Sequence, residues 1–288
     1  MRMKRLVKYC FSIFLMNVSA VSGQVPEATG TAQQSEKTQL AKPHRQPFLR
    51  EFLQDEWRLW TSPFKPKNYS SHTIKKYVIP FAIVSGALIA TDSRTGNILP
   101  NTPNQKKWSG RVSQLGAAYT QLGVSGGTYL LGKMTGNRHA QETGWLALNA
   151  MAHSQIVTQA LKQLTNRARP LTHEGSAGFW NGGNSFPSGH ASTSFAVATV
   201  FAYEYRHRLA VPIVAYGVAG AVAASRISAQ RHWVSDIVVG GSTGFLTGRY
   251  IYKRHHDPGL PGSRVGVTPR LVPQVSLSTT GVSVEWRF

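Results

Sequence analysis

The sequence predicts a mainly α-helical protein: one compact helical bundle followed by a short C-terminal β-hairpin. Three observations predict it. Between residues 48 and 253 few segments alternate apolar and polar residues, and runs of Ala, Gly, Val and Leu dominate. Hydrophobic residues make up 41% of the 288 and charged residues 15%, enough to bury a full-sized core and too apolar for wholesale disorder. Residues 275–278 and 282–288 do alternate, and Thr279-Thr280-Gly281 between them reads as a turn.

Residues 1–23 read as an export signal. Arg2, Lys4, Arg5 and Lys8 form a basic start, and an apolar stretch follows (Phe11, Ile13, Phe14, Leu15, Met16). Small residues then offer a cleavage site at Ser19, Ala20, Ser22 and Gly23. An uncleaved membrane anchor is the alternative. Cys10, the only cysteine, lies inside this segment, and Val7-Lys8-Tyr9 before it lack the small residue of a lipoprotein site. A mature chain without cysteine suits an oxidising compartment, so export to the periplasm or cell envelope is expected. Residues 24–46, rich in Gln, Thr, Ala, Pro and Lys, read as a disordered linker.

The domain proper is expected at 47–256, with its core at 75–253 and helices at 48–60, 74–91, 112–134, 143–168, 190–208, 211–226 and 233–253. The first places Phe48, Phe52 and Trp60 near one face and stops at Ser62-Pro63. It would lie on a membrane surface or pack on the bundle as a lid, and packing is expected because aromatic stripes belong more often to cores. The apolar runs 78–91, 209–224 and 234–248 are each shorter than the roughly 20 residues that cross a bilayer. Asn149, His153, Ser154 and Gln155 would be costly against lipid. These features describe an exported bundle associated with a membrane surface, its topology and oligomeric state open. The tail 257–288 carries the hairpin; its terminal aromatic resembles the last strand of outer-membrane barrels, but one hairpin closes no barrel.

Thirty-two Lys and Arg face 12 Asp and Glu, a net charge of +20, falling to +16 without residues 1–23. Such a field favours anionic partners: phosphorylated substrates, lipid headgroups or nucleic acid. Three segments narrow the choice. In the first, Lys162 and Arg169 are seven apart, two turns along one helical face, with Pro170 ending the helix. Two such cations clamp an oxyanion, although a solvated basic face looks the same. In the second, Pro187-Ser188-Gly189-His190 opens a helix. Its first N–H groups and the Ser188 hydroxyl form an anion site, and His190 is placed to pass a proton. An ordinary N-cap followed by a surface histidine is the plain alternative. In the third, His232 and Asp236 are one helical turn apart, so the carboxylate holds one imidazole nitrogen and frees the other. A helical His–Asp pair without a role has the same spacing. Arg226 is six before His232, and for both to serve one site the chain must bend within 227–231.

Together these segments resemble, without substitution and in order, the three-part signature of the type 2 phosphatidic acid phosphatase (PAP2) and vanadium haloperoxidase superfamily. The resemblance covers roughly residues 75–253. It implies a PAP2-type bundle in which His232 is the nucleophile that becomes a phosphohistidine and Asp236 orients it. His190 would protonate the leaving alcohol and later activate water. Lys162, Arg169, Arg226, Ser188 and the Gly189 N–H would hold the phosphoryl oxygens. The implied activity is metal-independent hydrolysis of phosphomonoesters or pyrophosphates, of a phosphorylated lipid or a small phosphoester, with no cofactor and no nucleic-acid partner. No paired carboxylates or His-x-His cluster of metal-site type are evident, and His255-His256-Asp257 reads as a solvated tail. The substrate-selecting mouth is expected between 48 and 110 and around Phe179-Trp180-Asn181. A broad-specificity periplasmic acid phosphatase is the runner-up. A vanadate-dependent haloperoxidase and a non-catalytic anionic-lipid binder are the further alternatives.

Overall fold

Small side chains decide how the helices meet. The computed structural model describes residues 48–98, 102–171, 177–257, 260, 268–276 and 279–287, so the expected signal segment and linker lie outside the described residues. The chain divides at Glu51 into two units, and the first contributes only residues 48–51. The helices are α1 (Phe48–Thr61), α2 (Ile79–Ile98), α3 (Pro103–Ser113), α4 (Ala118–Thr135), α5 (Arg138–Thr165), α6 (Gly189–Glu204), α7 (Ala210–Ser228) and α8 (Val234–His255). A helical turn, Ser71–Thr73, and a π-helical stretch, Ile74–Val78, lead straight into α2. The expected helix 112–134 is two helices, because the chain tightens at Gln114–Gly116 before α4 starts. Between α4 and α5, Gly136 takes φ +70° and the Asn137 side chain caps the Ala140 N–H at 3.0 Å.

The closest pairing is α6 against α8. Gly240, Gly244 and Gly248 recur every four residues on α8 and let its backbone touch that of α6. A Cβ at Gly244 would sit 1.9 Å from the Ser192 carbonyl oxygen, and one at Gly240 2.6 Å from that of Ser188. That approach places the start of α8 beside the start of α6. Much of the interior is small and polar: Thr143, Ser154, Thr158, Ser192, Thr193, Ser194 and Thr199 are all buried. Several of these hydroxyls return to the carbonyl one turn back, and Ser154 bonds Ser192 across helices at 2.7 Å.

The outer surface is the reverse. Ile79, Phe81, Ile83 and Val84 of α2, Leu122, Leu130 and Met134 of α4, and Ile213 and Val214 of α7 are exposed. Apolar residues outside and hydroxyls inside suit a lipid-facing bundle better than a water-facing one. Among the described residues two helices are long and apolar enough to cross a membrane, Ser71–Gly96 and Ala210–Ser228. The first is longer than its apolar run suggests because the helix continues through Asp92, whose carboxylate turns inward to a buried arginine.

Helix α1 meets the bundle on the side of Phe52, and that side also carries acidic residues. Asp55 is buried, bonded to Tyr250 Oη (3.0 Å) and His255 Nε2 (2.6 Å) and paired with Arg254. Glu56 meets His153 Nδ1 at 2.5 Å and accepts from Trp60 Nε1. Phe52 stacks on His153, whereas Leu53 and Trp57 stand exposed, the latter at 69%. The expected solvated tail at 255–257 is likewise anchored. His255 holds Asp55, and His256 lies 3.2 Å from Glu204 and 3.4 Å from Glu142, because these carboxylates need partners once buried.

Candidate active site

Four helix ends build the site: the last turns of α5 and α7 and the starts of α6 and α8. Lys162 stands in the last turn of α5, buried, and its Nζ donates to the Asn184 carbonyl at 2.5 Å. Burial first, then the neighbouring Arg169, pulls its pKa down to about 8. Arg169 does not share a helical face with Lys162. The helix ends at Thr165, where Asn166 takes φ 40° and donates its N–H to the Lys162 carbonyl. Pro170 is therefore not the terminator. Residues 165–168 instead pair by backbone with the returning strand-like segment: Ala168 with Gly178, Thr165 with Trp180, Arg167 with Ser185. Arg169 still belongs to the cationic group, acting on both Lys162 and His190.

The start of α6 supplies Ser188, Gly189 and His190. Ser188 is fully buried; its N–H is spent on the Asp236 carbonyl at 2.9 Å, and its Oγ finds no hydrogen-bond partner among the described residues. A buried hydroxyl left open at a helix start is what an oxyanion site provides. A Cβ at Gly189 would lie within 4.0 Å of Gln155, Thr158 and Lys162, so α6 begins directly on that face of α5. Burial, then Arg226, His232, Lys162 and Arg169, lowers the His190 pKa to about 4. Arg226 stands in the last turn of α7, its Nη1 on Ser113 Oγ at 3.1 Å and its buried Nε without a partner among the described residues. The required bend follows at once, with Gln230 at φ 52°.

His232 lies in that bend, two residues before α8, so it shares no helical face with Asp236. The ring is buried, and Nδ1 lies 2.8 Å from the Ser185 carbonyl oxygen. A carbonyl only accepts, so Nδ1 carries the proton and Nε2 keeps its lone pair. Asp236 Oδ2 stands behind at 3.5 Å. The carboxylate is saturated: Arg167 Nη1 donates to Oδ1 (2.6 Å), while Ser185 Oγ (2.5 Å) and the Trp233 N–H (2.9 Å) donate to Oδ2. Burial raises the Asp236 pKa, but His232 first, then Arg167 and Ser185, hold it below the usual carboxylate range. Burial pushes the His232 pKa down to about 4 against the opposing pull of Asp236.

Residues 143–259, which carry all of these groups, match the PAP2 superfamily profile. The match covers this segment, less than half of the chain. Two curated relatives share it in part. The lipid A 1-phosphatase of Porphyromonas gingivalis is 44% identical over 70 residues, 24% of this chain and 16% of that protein. Phosphatidylglycerophosphatase B of Bacillus subtilis is 32% identical over 115 residues, 36% of this chain and 53% of that protein. The chain thus spans about half or less of the length of the relatives it matches. Among solved structures, the transmembrane PAP2 type phosphatidylglycerolphosphate phosphatase of B. subtilis aligns with a TM-score of 0.48 at 22% identity, over 64% of this chain and 96% of that one. Aquifex aeolicus LpxE aligns at 0.44 and 20%, over 55% and 90%.

The PAP2 motif does not mark every residue at the site. Ser185 accepts the His232 proton through its carbonyl and bonds Asp236 through its hydroxyl. Its place just ahead of Phe186-Pro187-Ser188-Gly189 was the available hint. Arg167, inside the first motif, is completely buried and bonded to Asp236, Ser235 and Asp92. Nothing in the sequence ties Asp92 to Arg167 and Ser235, 75 and 143 positions away. Of the expected mouth residues, Phe179 packs against Arg167 at 4.6 Å and Trp180 is exposed. A recess lined by Thr95, Gly96, Pro170, Ile227 and Gln230 opens beside His232 and Trp233.

Proposed function

We propose that this chain is an exported, membrane-associated phosphatase that removes phosphate from a phosphorylated lipid through a phosphohistidine on His232, without a metal. The observation that carries it is the tautomer of His232: Nδ1 is tied to the Ser185 carbonyl, leaving Nε2 as a nucleophile inside a group of three cations. In the first step Nε2 attacks phosphorus as the ester P–O bond breaks, and the leaving alkoxide takes the His190 proton. In the second, His190 takes a proton from water, which attacks phosphorus and breaks the P–N bond, releasing inorganic phosphate and restoring His232. Lys162, Arg169, Arg226, Ser188 Oγ and the Gly189 N–H hold the charge spread over the equatorial oxygens. Asp236 has both oxygens bonded to protein donors, which suits the role of holding the nucleophile. The apolar outer faces and the names of both relatives as lipid phosphatases support a lipid substrate. The organisation that goes with this reading is a signal peptide at 1–23, a linker at 24–46, the phosphatase domain at 47–256 and a hairpin-bearing tail at 257–288.

The test is steady-state phosphate release in EDTA from a chromogenic phosphomonoester, phosphatidic acid in mixed micelles and an isoprenoid pyrophosphate. Turnover of a lipid well above the soluble ester is expected. Equal turnover of all three would make this a broad-specificity acid phosphatase, and abolition by EDTA would exclude the metal-free mechanism.

Lys162 sets the alkaline limb. With its pKa near 8 it is charged at pH 7 and loses its charge above pH 8, taking a phosphate-binding cation with it. The value of kcat/KM is expected to fall about tenfold per pH unit above that point, mainly through KM. A Lys162→Arg variant keeps the charge and should show no such limb up to pH 10. An unchanged limb in that variant would assign it to another group.

A further inference from the structure

Behind the nucleophile lies an ion-pair network that the three motifs do not account for. Arg167 has no exposed surface. Its Nη2 donates to Asp92 Oδ2 at 2.8 Å, its Nη1 to Asp236 Oδ1 and Ser235 Oγ at 2.6 Å each, and its Nε to the Ala177 carbonyl at 3.1 Å. The guanidinium lies 4.6 Å from the centre of the Phe179 ring, 5.8 Å from that of Trp233 and 5.9 Å from that of Phe186. Asp92, also fully buried, accepts from the Ser235 N–H (3.2 Å) and hydroxyl (2.5 Å). Three charges sharing one desolvated space are costly unless each is paired, and here two carboxylates flank one guanidinium with every contact short.

We infer that the buried pair Asp92–Arg167 is the positioning unit of the nucleophile: it fixes the place and charge of Asp236 and, through it, the proton on His232 Nδ1. This rests on the phosphohistidine reading above. Arg167 pins Oδ1, so Oδ2 alone is turned toward His232 and stays 3.5 Å away, while the Ser185 carbonyl makes the direct hydrogen bond. Arg167 also offsets the charge of Asp236. Without that offset the carboxylate would pull the His232 proton equilibrium upward, and Nε2 would be blocked by a proton over more of the working pH range. Asp92 holds Arg167 from α2, and its own charge works in the opposite direction. The other charged or titratable groups acting on His232 are Lys162 from α5, Arg226 from α7 and His190 from α6; these stay untouched in the test.

The test compares wild type, Arg167→Gln, Arg167→Lys and the double variant Asp92→Asn/Arg167→Gln. Two quantities are read: the acid limb of kcat on the chromogenic ester, and the His232 titration followed by ¹⁵N-histidine NMR of the full chain. Arg167→Gln removes a positive charge, so both midpoints are expected to rise, by about one pH unit, with kcat at least about 10²-fold lower and KM changed much less. Adding Asp92→Asn removes the negative charge left behind and should return both midpoints toward wild type. Arg167→Lys should keep the wild-type midpoints while losing part of kcat, since a point charge cannot hold Asp92, Ser235 and Asp236 together. A purely structural role predicts lower melting temperatures with unmoved midpoints, and that result overturns the inference. If Arg167→Gln does not fold, the double variant and Arg167→Lys decide: a double-variant midpoint moved by as much as one unit, or a lysine variant with wild-type kcat, overturns it. The NMR midpoint needs no turnover. Midpoints that behave as expected in protein that hydrolyses none of the three substrates would uphold the positioning unit and overturn the phosphatase reading alone.

Discussion

Replacing His232 with alanine is expected to lower kcat by at least about 10³-fold while KM changes little. The imidazole keeps a free lone pair on Nε2, because its other nitrogen is held on the Ser185 carbonyl. Lys162, Arg169, Arg226 and the start of α6 remain in the variant, so phosphate still binds and a residual electrostatic contribution survives. That is why KM should hold while kcat collapses. Truncation leaves the Ser185 carbonyl without its donor, at a cost of about 1–3 kcal/mol, so the melting temperature must be followed alongside. His232→Asn restores a donor without a nucleophile and should be equally inactive with less loss of stability. Wild-type turnover in either variant would remove His232 from its role. In the wild type, rapid alkaline quenching after mixing with ³²P-labelled substrate should trap a label on His232 that acid releases. Absence of a label when phosphate is being released would mean direct attack by water.

The residues proposed for bond-making stood out in the sequence because their order is local and resembles the PAP2 signature. Ser188, Gly189 and His190 are consecutive, and Arg226, His232 and Asp236 fall within eleven residues, so spacing alone brought them near one place. What spacing could not show was the geometry between them. The Lys162–Arg169 pair looked like a single helical face, yet Asn166 in the left-handed region stops the helix first and Arg169 arrives from a loop. His232 and Asp236 looked like a helical pair, yet Asp236 spends one oxygen capping Trp233 at the start of α8 and the imidazole turns to a backbone carbonyl. Asp92 was invisible for a different reason: its partner is 75 residues away and depends on α2 packing beside α8. The bundle itself was legible from composition. The packed side of α1 was legible through Phe52, but not the carboxylates Asp55 and Glu56 that accompany it and find Tyr250, His255 and His153.

The second large effect separates the two steps. His190→Ala is expected to lower kcat for an alkyl phosphate by about 10²–10⁴-fold, because an alkoxide leaves poorly without a proton. In the free protein His190 has a pKa near 4 and is neutral at pH 7, held there by burial and by Arg226, Lys162 and Arg169. A bound phosphate dianion offsets those cations, so substrate itself raises the proton affinity of the ring when a general acid is needed. A nitrophenyl leaving group is different: it departs as a stable anion and needs no proton. For nitrophenyl phosphate the variant should therefore phosphorylate His232 at nearly the wild-type rate and then stall, because the same imidazole is required to activate water. The expected record is a burst of about one equivalent of nitrophenolate per active site, followed by a slow steady state, with no burst from the alkyl ester. Equal slowing of both substrates without a burst would show that His190 serves binding rather than proton transfer. A burst already present in the wild type at pH 7 would show instead that hydrolysis of the phosphohistidine is the slow step, in which case the variant should lower the steady-state rate and leave the burst amplitude unchanged.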